Sequence, residues 1–319
     1  MAVSLAPVTL RDAEESMSSA VRYLIDRILV AEGRSERTRE WYETQLAEWL
    51  RFCEEQGLVR VQDVRRSDVV DFMTWLQARK PNAQPTTLNG YLRAVRRFFR
   101  SFLDDLINAD PTRRVKKLPE PEKLPLTLNE AEMRKLLDQF DRRTFFGSRN
   151  YHIVAVLLAT GIRADECAGL RVRDLDTAND ALRVVRAKYR KERLVALPSN
   201  LSFSLERYLR KRDLFLARHG HEGEALFPSK TGTHLARDTI TRIVADALER
   251  GGLDIPGRKK GAHILRHSYG HQAVLKGAST LALQRAMGHS SPSVTAIYTR
   301  LAGAETLEVS RSFACWPGD

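Results

Sequence analysis

Gly261-Ala-His-Ile-Leu-Arg266 and Leu283-Gln-Arg-Ala-Met-Gly-His-Ser-Ser-Pro-Ser-Val-Thr-Ala-Ile-Tyr-Thr-Arg300 are the stretches on which the reading turns. In the first, His263 and Arg266 stand three residues apart, a spacing that sets both on one face of a helix. The second is an apolar helix-forming run that stops at Gly288, then a turn with Pro292, then a helical run carrying Tyr298 nine residues beyond His289. Basic, imidazole and phenol groups gathered this closely suit chemistry on an anion.

The charge of the whole chain points the same way. Of 319 residues, 52 are Lys or Arg and 40 are Asp or Glu, a formal net charge of +12. Such a surplus favours a polyanion such as nucleic acid over an acidic small molecule. The length suffices for two domains whose cores need neither metal nor disulfide. Cys53, Cys167 and Cys315 are odd in number and widely spaced, so neither a disulfide framework nor a zinc knuckle is indicated and a reducing cytoplasm is expected. The longest apolar run, Ile153 to Ala159, is too short to span a bilayer, and no basic segment followed by an apolar core opens the chain. A soluble, unexported protein without membrane contact is the expectation.

Residues 1–16 show no sustained period and are expected to form a flexible N-terminal arm. From 17 to 108 the pattern is helical throughout. Val21, Leu24, Ile25, Ile28 and Leu29 recur up to Gly33; Trp41, Tyr42, Leu46, Trp49, Leu50 and Cys53 up to Gly57; Val69, Val70, Met73 and Leu76 up to Pro81. After Pro85 come Leu88, Tyr91, Leu92, Val95, Phe98, Phe99 and Phe102. Four such helices make a small bundle. Residues 109–125 hold four prolines among alternating charges and read as a linker. A second domain over 126–300 opens at Thr127-x-x-Glu130, a capping-box pattern that would start a helix at Leu128 and run to 140. Further helices are expected at 148–160, 165–170, 199–218, 236–250, 263–276, 280–287 and 292–300. Between them, Ala181–Arg186 and Arg193–Leu197 alternate as strands around Lys188-Tyr-Arg-Lys-Glu192, a hairpin with a basic tip. Residues 301–319 form a C-terminal tail. The expected fold class is mainly α with a small antiparallel β-sheet: an N-terminal helical bundle and an α+β second domain.

Arg163 sits in Ala159-Thr-Gly-Ile-Arg-Ala-Asp-Glu166, a charge placed where an apolar helix ends. Arginine stays charged, and its planar fork donates two hydrogen bonds to a phosphate. Arg163 and Arg266 therefore suit holding the charge of a phosphodiester under attack; the bland alternative is a surface arginine, the usual fate of Lys and Arg in a basic chain. A phenol with a pKa of about 10 needs neighbouring cations and a proton acceptor before it attacks, which makes Tyr298 a candidate nucleophile beside two arginines and His263.

The order Arg163, Lys188, His263-x-x-Arg266, His289, Tyr298 resembles the catalytic set of the tyrosine recombinases, the family of phage integrases and Xer proteins. The resemblance covers most of the chain from residue 20 onward, and its specific motifs lie in the second half. It implies that Tyr298 forms a 3′-phosphotyrosyl bond and frees a 5′-hydroxyl, that His289 hydrogen-bonds a nonbridging phosphate oxygen, and that Lys188 protonates the leaving 5′ oxygen. Glu166 would orient the neighbouring basic groups, or else be a plain i,i+3 partner of Arg163. In the family the hairpin lysine is commonly flanked by glycines, which Ala187-Lys188-Tyr189 lacks. Lys191 therefore competes with Lys188 for the role, and a tip that merely touches DNA phosphates is the other reading.

Thr86 to Arg100 resembles the last helix of the family's core-binding, SAM-like domain. Its Arg93, Arg96, Arg97 and Arg100 would then contact DNA, or form a solvated face. Arg190, Lys191, Arg237, Lys259 and Lys260 are the DNA contacts expected in the second domain. The implied partners are double-stranded DNA recombination sites and three further copies of the chain, a homo-tetramer on two sites that is a monomer or weak dimer when free. The tail would dock on a neighbouring protomer or fold back on its own domain. Bond energy is conserved in such an exchange, so no cofactor is expected. His263, His267 and His271 stand four apart, but no His-Glu-x-x-His pattern or paired cysteine accompanies them, and no metal is expected. The implied task is integration or excision of a mobile element, or resolution of DNA dimers. A type IB topoisomerase and a non-catalytic helical DNA-binding regulator are the alternatives.

Overall fold

Trp49, Phe52, Phe72, Phe98 and Phe99 are all buried in the first half of the chain, and their ring contacts fix how its helices meet. The computed structural model describes residues 8–120, 125–186, 191–253 and 261–288. The chain divides into two units, Met1–Glu122 and Lys123–Asp319, each with its own apolar core.

The first unit holds α1 (Leu10–Glu15), α2 (Met17–Tyr23), a π-helical turn over Leu24–Ile28, α3 (Leu29–Ala31), α4 (Glu36–Gln56), α5 (Arg66–Arg79) and α6 (Pro85–Arg100). Trp49 of α4 meets Phe72 of α5 at 5.0 Å and Phe99 of α6 at 5.7 Å, both edge to face, the arrangement that aromatic quadrupoles favour. Gly57 ends α4 at φ +67°, and Pro85 opens α6 at its first position, where a missing N–H costs nothing. One expectation fails at the start. Residues 10–15 are helix, not arm, because Thr9 and Asp12 form a reciprocal capping box and Ala13 is fully buried in the core.

The linker expected from 109 is likewise fastened to this unit as far as Glu120. Asp110 Oδ1 accepts from the Thr112 N–H at 2.8 Å, turning the chain, and Thr112 and Val115 are buried. Asn89 of α6 then clasps the strap. Its Nδ2 donates to the Leu118 carbonyl (3.0 Å) and Glu120 Oε1 (2.7 Å), and its Oδ1 accepts from the Leu118 N–H at 2.9 Å.

The second unit is built around α8 (Phe145–Thr160), whose Ile153, Val154, Val156 and Leu157 are buried. Before it, α7 (Glu130–Leu137) begins from an Asn129/Glu132 capping box rather than from Thr127/Glu130. The reason is tertiary: the Leu128 N–H is taken by Ser268 Oγ at 2.8 Å, and Thr127 Oγ1 meets His271 Nδ1 at 3.3 Å. After α8 come α9 (Ala164–Ala168) and an antiparallel sheet in the order β1 (Leu175–Asp176), β2 (Ala181–Arg186), β3 (Lys191–Ala196). Leu182 pairs with Val195 and Val184 with Arg193. These four side chains share one face, since alternate residues of a strand point the same way. The unit closes with α10 (Ser199–Arg218), α11 (Arg237–Arg250), α12 (His263–Leu275) and α13 (Thr280–Met287). The helix expected over 292–300 and the tail lie outside the described residues. Among the described residues the molecule is thus mainly helical with one small antiparallel sheet, the expected class.

The Asn89 clasp gives a direct test. Asn89→Ala removes three hydrogen bonds at a buried position and should cost about 1–3 kcal/mol locally. Limited trypsin digestion should then cut faster after Arg113, Arg114, Lys116 or Lys117 than in the wild type; an unchanged digestion rate would show that the clasp does not hold the strap.

Candidate functional site

Gly161 fixes the geometry. It ends α8 in the left-handed region at φ +61°, and a Cβ there would lie 2.3 Å from Tyr269 Cδ1 of α12. Only glycine permits both the turn and that approach. Two residues on, Arg163 is the N-cap of α9. Its backbone N–H donates to Glu166 Oε2 at 2.8 Å, and its guanidinium lies 3.4 Å from Glu166 Oε1. The carboxylate is buried, at 4% side-chain exposure, whereas the arginine keeps 27%.

A second arginine shares that carboxylate. Arg193 of β3 donates from Nη1 to Glu166 Oε1 (2.9 Å) and from Nη2 to Glu166 Oε2 (2.8 Å), a bidentate fork. Its Nε donates to the Ala286 carbonyl of α13 at 2.9 Å. Burial pushes the Glu166 carboxyl up, but the Arg193 hydrogen bonds, the Arg163 N–H and the two positive charges outweigh it and hold the group below the usual range. The carboxylate is ionised at neutral pH.

Arg266 of α12 is buried and ties the same elements by another route. It donates from Nη1 to the Gly161 carbonyl and from Nη2 to the Met287 carbonyl at 2.8 Å. His263, one turn before it, lines a pocket of about 210 Å³ together with Arg163, Asp165, Arg237, Thr241 and Arg266. Arg237 is steered by Asp165 at 3.4 Å. Burial, then the charges of Arg266, Arg237 and Arg163, lower the His263 pKa, so the imidazole is neutral at pH 7 and able to accept a proton. A half-open pocket with three guanidiniums and one neutral imidazole fits a phosphate diester and a proton transfer beside it.

The structure therefore brings together Arg163, Glu166, Arg237, His263 and Arg266. Lys188, Arg190, Lys259, Lys260, His289 and Tyr298 lie outside the described residues, and Lys191 opens β3 opposite Arg186. In the first unit, the four α6 arginines have partners close at hand. Arg93 lies 4.7 Å over the Trp41 ring, Arg96 donates to the Val115 carbonyl, Arg97 to Glu32, and Arg100 Nε lies 3.4 Å from Asp110. Of the three spaced histidines, His263 and His267 have ring centroids 6.3 Å apart while His271 meets Thr127. Among the described residues no group of three His, Cys, Asp or Glu is placed to hold a metal ion, and no helix is long and apolar enough to cross a membrane.

Sequence reasoning does not single out Arg193, although a signal is present. In Arg193-Leu-Val-Ala-Leu197 the strand alternation puts Arg193 on the face of Val195 and Leu197, which are buried. A charge at an inward strand position needs a partner.

Burial, then the charges of His263 and Arg266, push the His267 imidazole down to about 4. A folded value depressed below the ordinary 6.5 means that its contribution to stability is complete above pH 6.5 and is lost as pH falls toward 4. Urea unfolding of His267→Gln and wild type should therefore show a stability gap that narrows from pH 7 to pH 5, by on the order of 1 kcal/mol. A gap that stays constant or widens would contradict this.

Comparison with known proteins gives the site a context. The family model described as the phage integrase family matches residues 127–305, and that described as phage integrase, N-terminal SAM-like domain, matches residues 20–104. Tyrosine recombinase XerD of Pseudomonas putida is 31% identical over 283 residues, 88% of this chain and 92% of that protein. XerH site-specific recombinase in a post-cleavage complex with a palindromic difH substrate superposes with TM-score 0.74 at 20% identity, covering 92% of this chain and 82% of that one. A lambda integrase tetramer bound to a Holliday junction does so with TM-score 0.67 at 16% identity, over 92% and 80%. The two structures share the fold.

Proposed function

The chain belongs to the phage integrase family, and from that premise we propose that it is a site-specific tyrosine recombinase, an enzyme that cleaves and rejoins double-stranded DNA through a 3′-phosphotyrosyl intermediate. The observation that carries the reading is the pocket shared by Arg163, Arg237, His263 and Arg266. Arg163 and Arg266 stabilise the nonbridging oxygens while phosphorus becomes five-coordinate. Arg266 would exchange carbonyl partners for the phosphate, and Arg163 has accessible surface to offer. The Tyr298 oxygen attacks phosphorus as its proton passes to the neutral His263. The bond to the 5′ oxygen breaks, and Lys188, or Lys191 in its place, gives that oxygen its proton. His289 adds a hydrogen bond to the phosphate. The 5′-hydroxyl of a partner strand then displaces the tyrosine, so one phosphodiester replaces another and no nucleotide cofactor is consumed.

The same reading extends to the assembly. The lambda integrase of like fold is a tetramer on a Holliday junction, which supports a homo-tetramer on two DNA sites; when free, the chain would be a monomer or weak dimer. Residues 301–319 would dock on the neighbouring protomer. A helical core-binding domain over 17–108, with Arg93, Arg96, Arg97 and Arg100, and the basic residues Arg190, Lys191, Arg237, Lys259 and Lys260 would grip the duplex. The enzyme would act on DNA in the cytoplasm, for integration or excision of a mobile element or to resolve DNA dimers.

A nicked suicide duplex, carrying a sequence the protein selects from a random pool, tests the chemistry. Wild type should form a denaturation-resistant protein–DNA adduct, and Tyr298→Phe should form none while binding the duplex with nearly unchanged affinity. An adduct retained by Tyr298→Phe would reassign the nucleophile.

A further inference from the structure

Arg193 has a connectivity that ordinary stabilisation does not require. It stands on the inward face of β3 beside Val195 and opposite Val184, both buried. An apolar side chain would pack there at least as well, since a buried ion pair commonly gains little over a hydrophobic replacement. Instead its guanidinium joins three elements. Nη1 and Nη2 grip the two oxygens of Glu166 on α9, and Nε holds the Ala286 carbonyl at the end of α13.

Each contact leads toward the pocket. Glu166 also binds the backbone and guanidinium of Arg163. Ala286 lies two residues before Gly288, which leaves α13 in the left-handed region at φ +66°. A Cβ on Gly288 would sit 3.3 Å from Arg193 Nη1, so the glycine admits the guanidinium as well as the turn. In sequence, Arg193 lies five residues beyond Lys188 and two beyond Lys191, the two candidates for the proton donor.

We propose that Arg193 is a positioning residue: by anchoring the base of the β2–β3 hairpin to Glu166 and to the end of α13, it sets the hairpin's proton donor in register with the phosphate held by Arg163. Each of the three guanidinium nitrogens of Arg193 already has a protein partner, so its role is to position other groups rather than to bind substrate. The inference rests on the recombinase reading and deepens it. The loss on removing Arg193 is thereby assigned to protonation of the 5′ oxygen, the step that the hairpin's lysine serves.

The experiment compares Arg193→Gln and Arg193→Lys with wild type on the suicide duplex, in two forms: an ordinary phosphodiester and a 5′-bridging phosphorothiolate. In the second the P–S bond breaks and sulfur leaves as a thiolate without needing a proton. Lysine keeps the charge but cannot grip both carboxylate oxygens and the Ala286 carbonyl at once. Both variants should cleave the ordinary duplex about 10- to 100-fold more slowly than wild type, bind it with nearly unchanged affinity, and cleave the phosphorothiolate close to the wild-type rate. Equal losses on the two substrates, weakened binding with a lowered melting temperature, or no loss at all would overturn the proposal. Should wild type form no adduct with either duplex, the recombinase reading itself fails, an outcome distinct from the others.

Discussion

The second unit depends on one buried carboxylate. Glu166 accepts from the Arg163 backbone, lies against the Arg163 guanidinium and receives both arms of the Arg193 fork. A carboxylate in a dry setting is costly unless paired and hydrogen-bonded; here the cost is offset on every side, and the group stays ionised. One carboxylate between the guanidiniums of Arg163 and Arg193 leaves the cluster a net positive charge.

Arg266 forms the second node. It spans from the Gly161 carbonyl to the Met287 carbonyl, so the end of α8, the start of α12 and the end of α13 are tied through one side chain. Gly161 lets Tyr269 come close, and Ser268 and His271 of the same helix hold the segment before α7. The two nodes converge on adjacent residues of α13, Ala286 and Met287. The chain leaves that helix through Gly288, and the next residue in sequence is His289.

What can be read in the sequence is local in origin. His263 and Arg266 fall on one helix and three residues apart, Arg163 follows a glycine that ends an apolar helix, and the strand runs alternate; each signal lies within a few residues of its consequence. What cannot be read depends on partners far along the chain. Arg193 finds Glu166 across 27 residues, Asn89 finds Leu118 across 29, and the start of α7 is moved by Ser268, 140 residues away from Leu128. The short helix α1 escapes for a different reason: six residues carry too little periodicity to stand out, and its signal is a Thr9/Asp12 cap and one small buried residue. The α6 arginines show a further limit. An amphipathic pattern says which side is polar, but not that Glu32, Trp41, Asp110 and the Val115 carbonyl stand ready to engage those guanidiniums.

The central claim is that Glu166 and Arg193 act as one unit. A double-mutant cycle on cleavage of the ordinary suicide duplex measures this most directly, comparing Glu166→Gln, Arg193→Gln and the double variant with wild type. If the two side chains work through each other, the double variant cleaves no more slowly than the worse of the single variants. If instead the two losses multiply, Glu166 and Arg193 contribute independently and the claim that they form one unit is wrong.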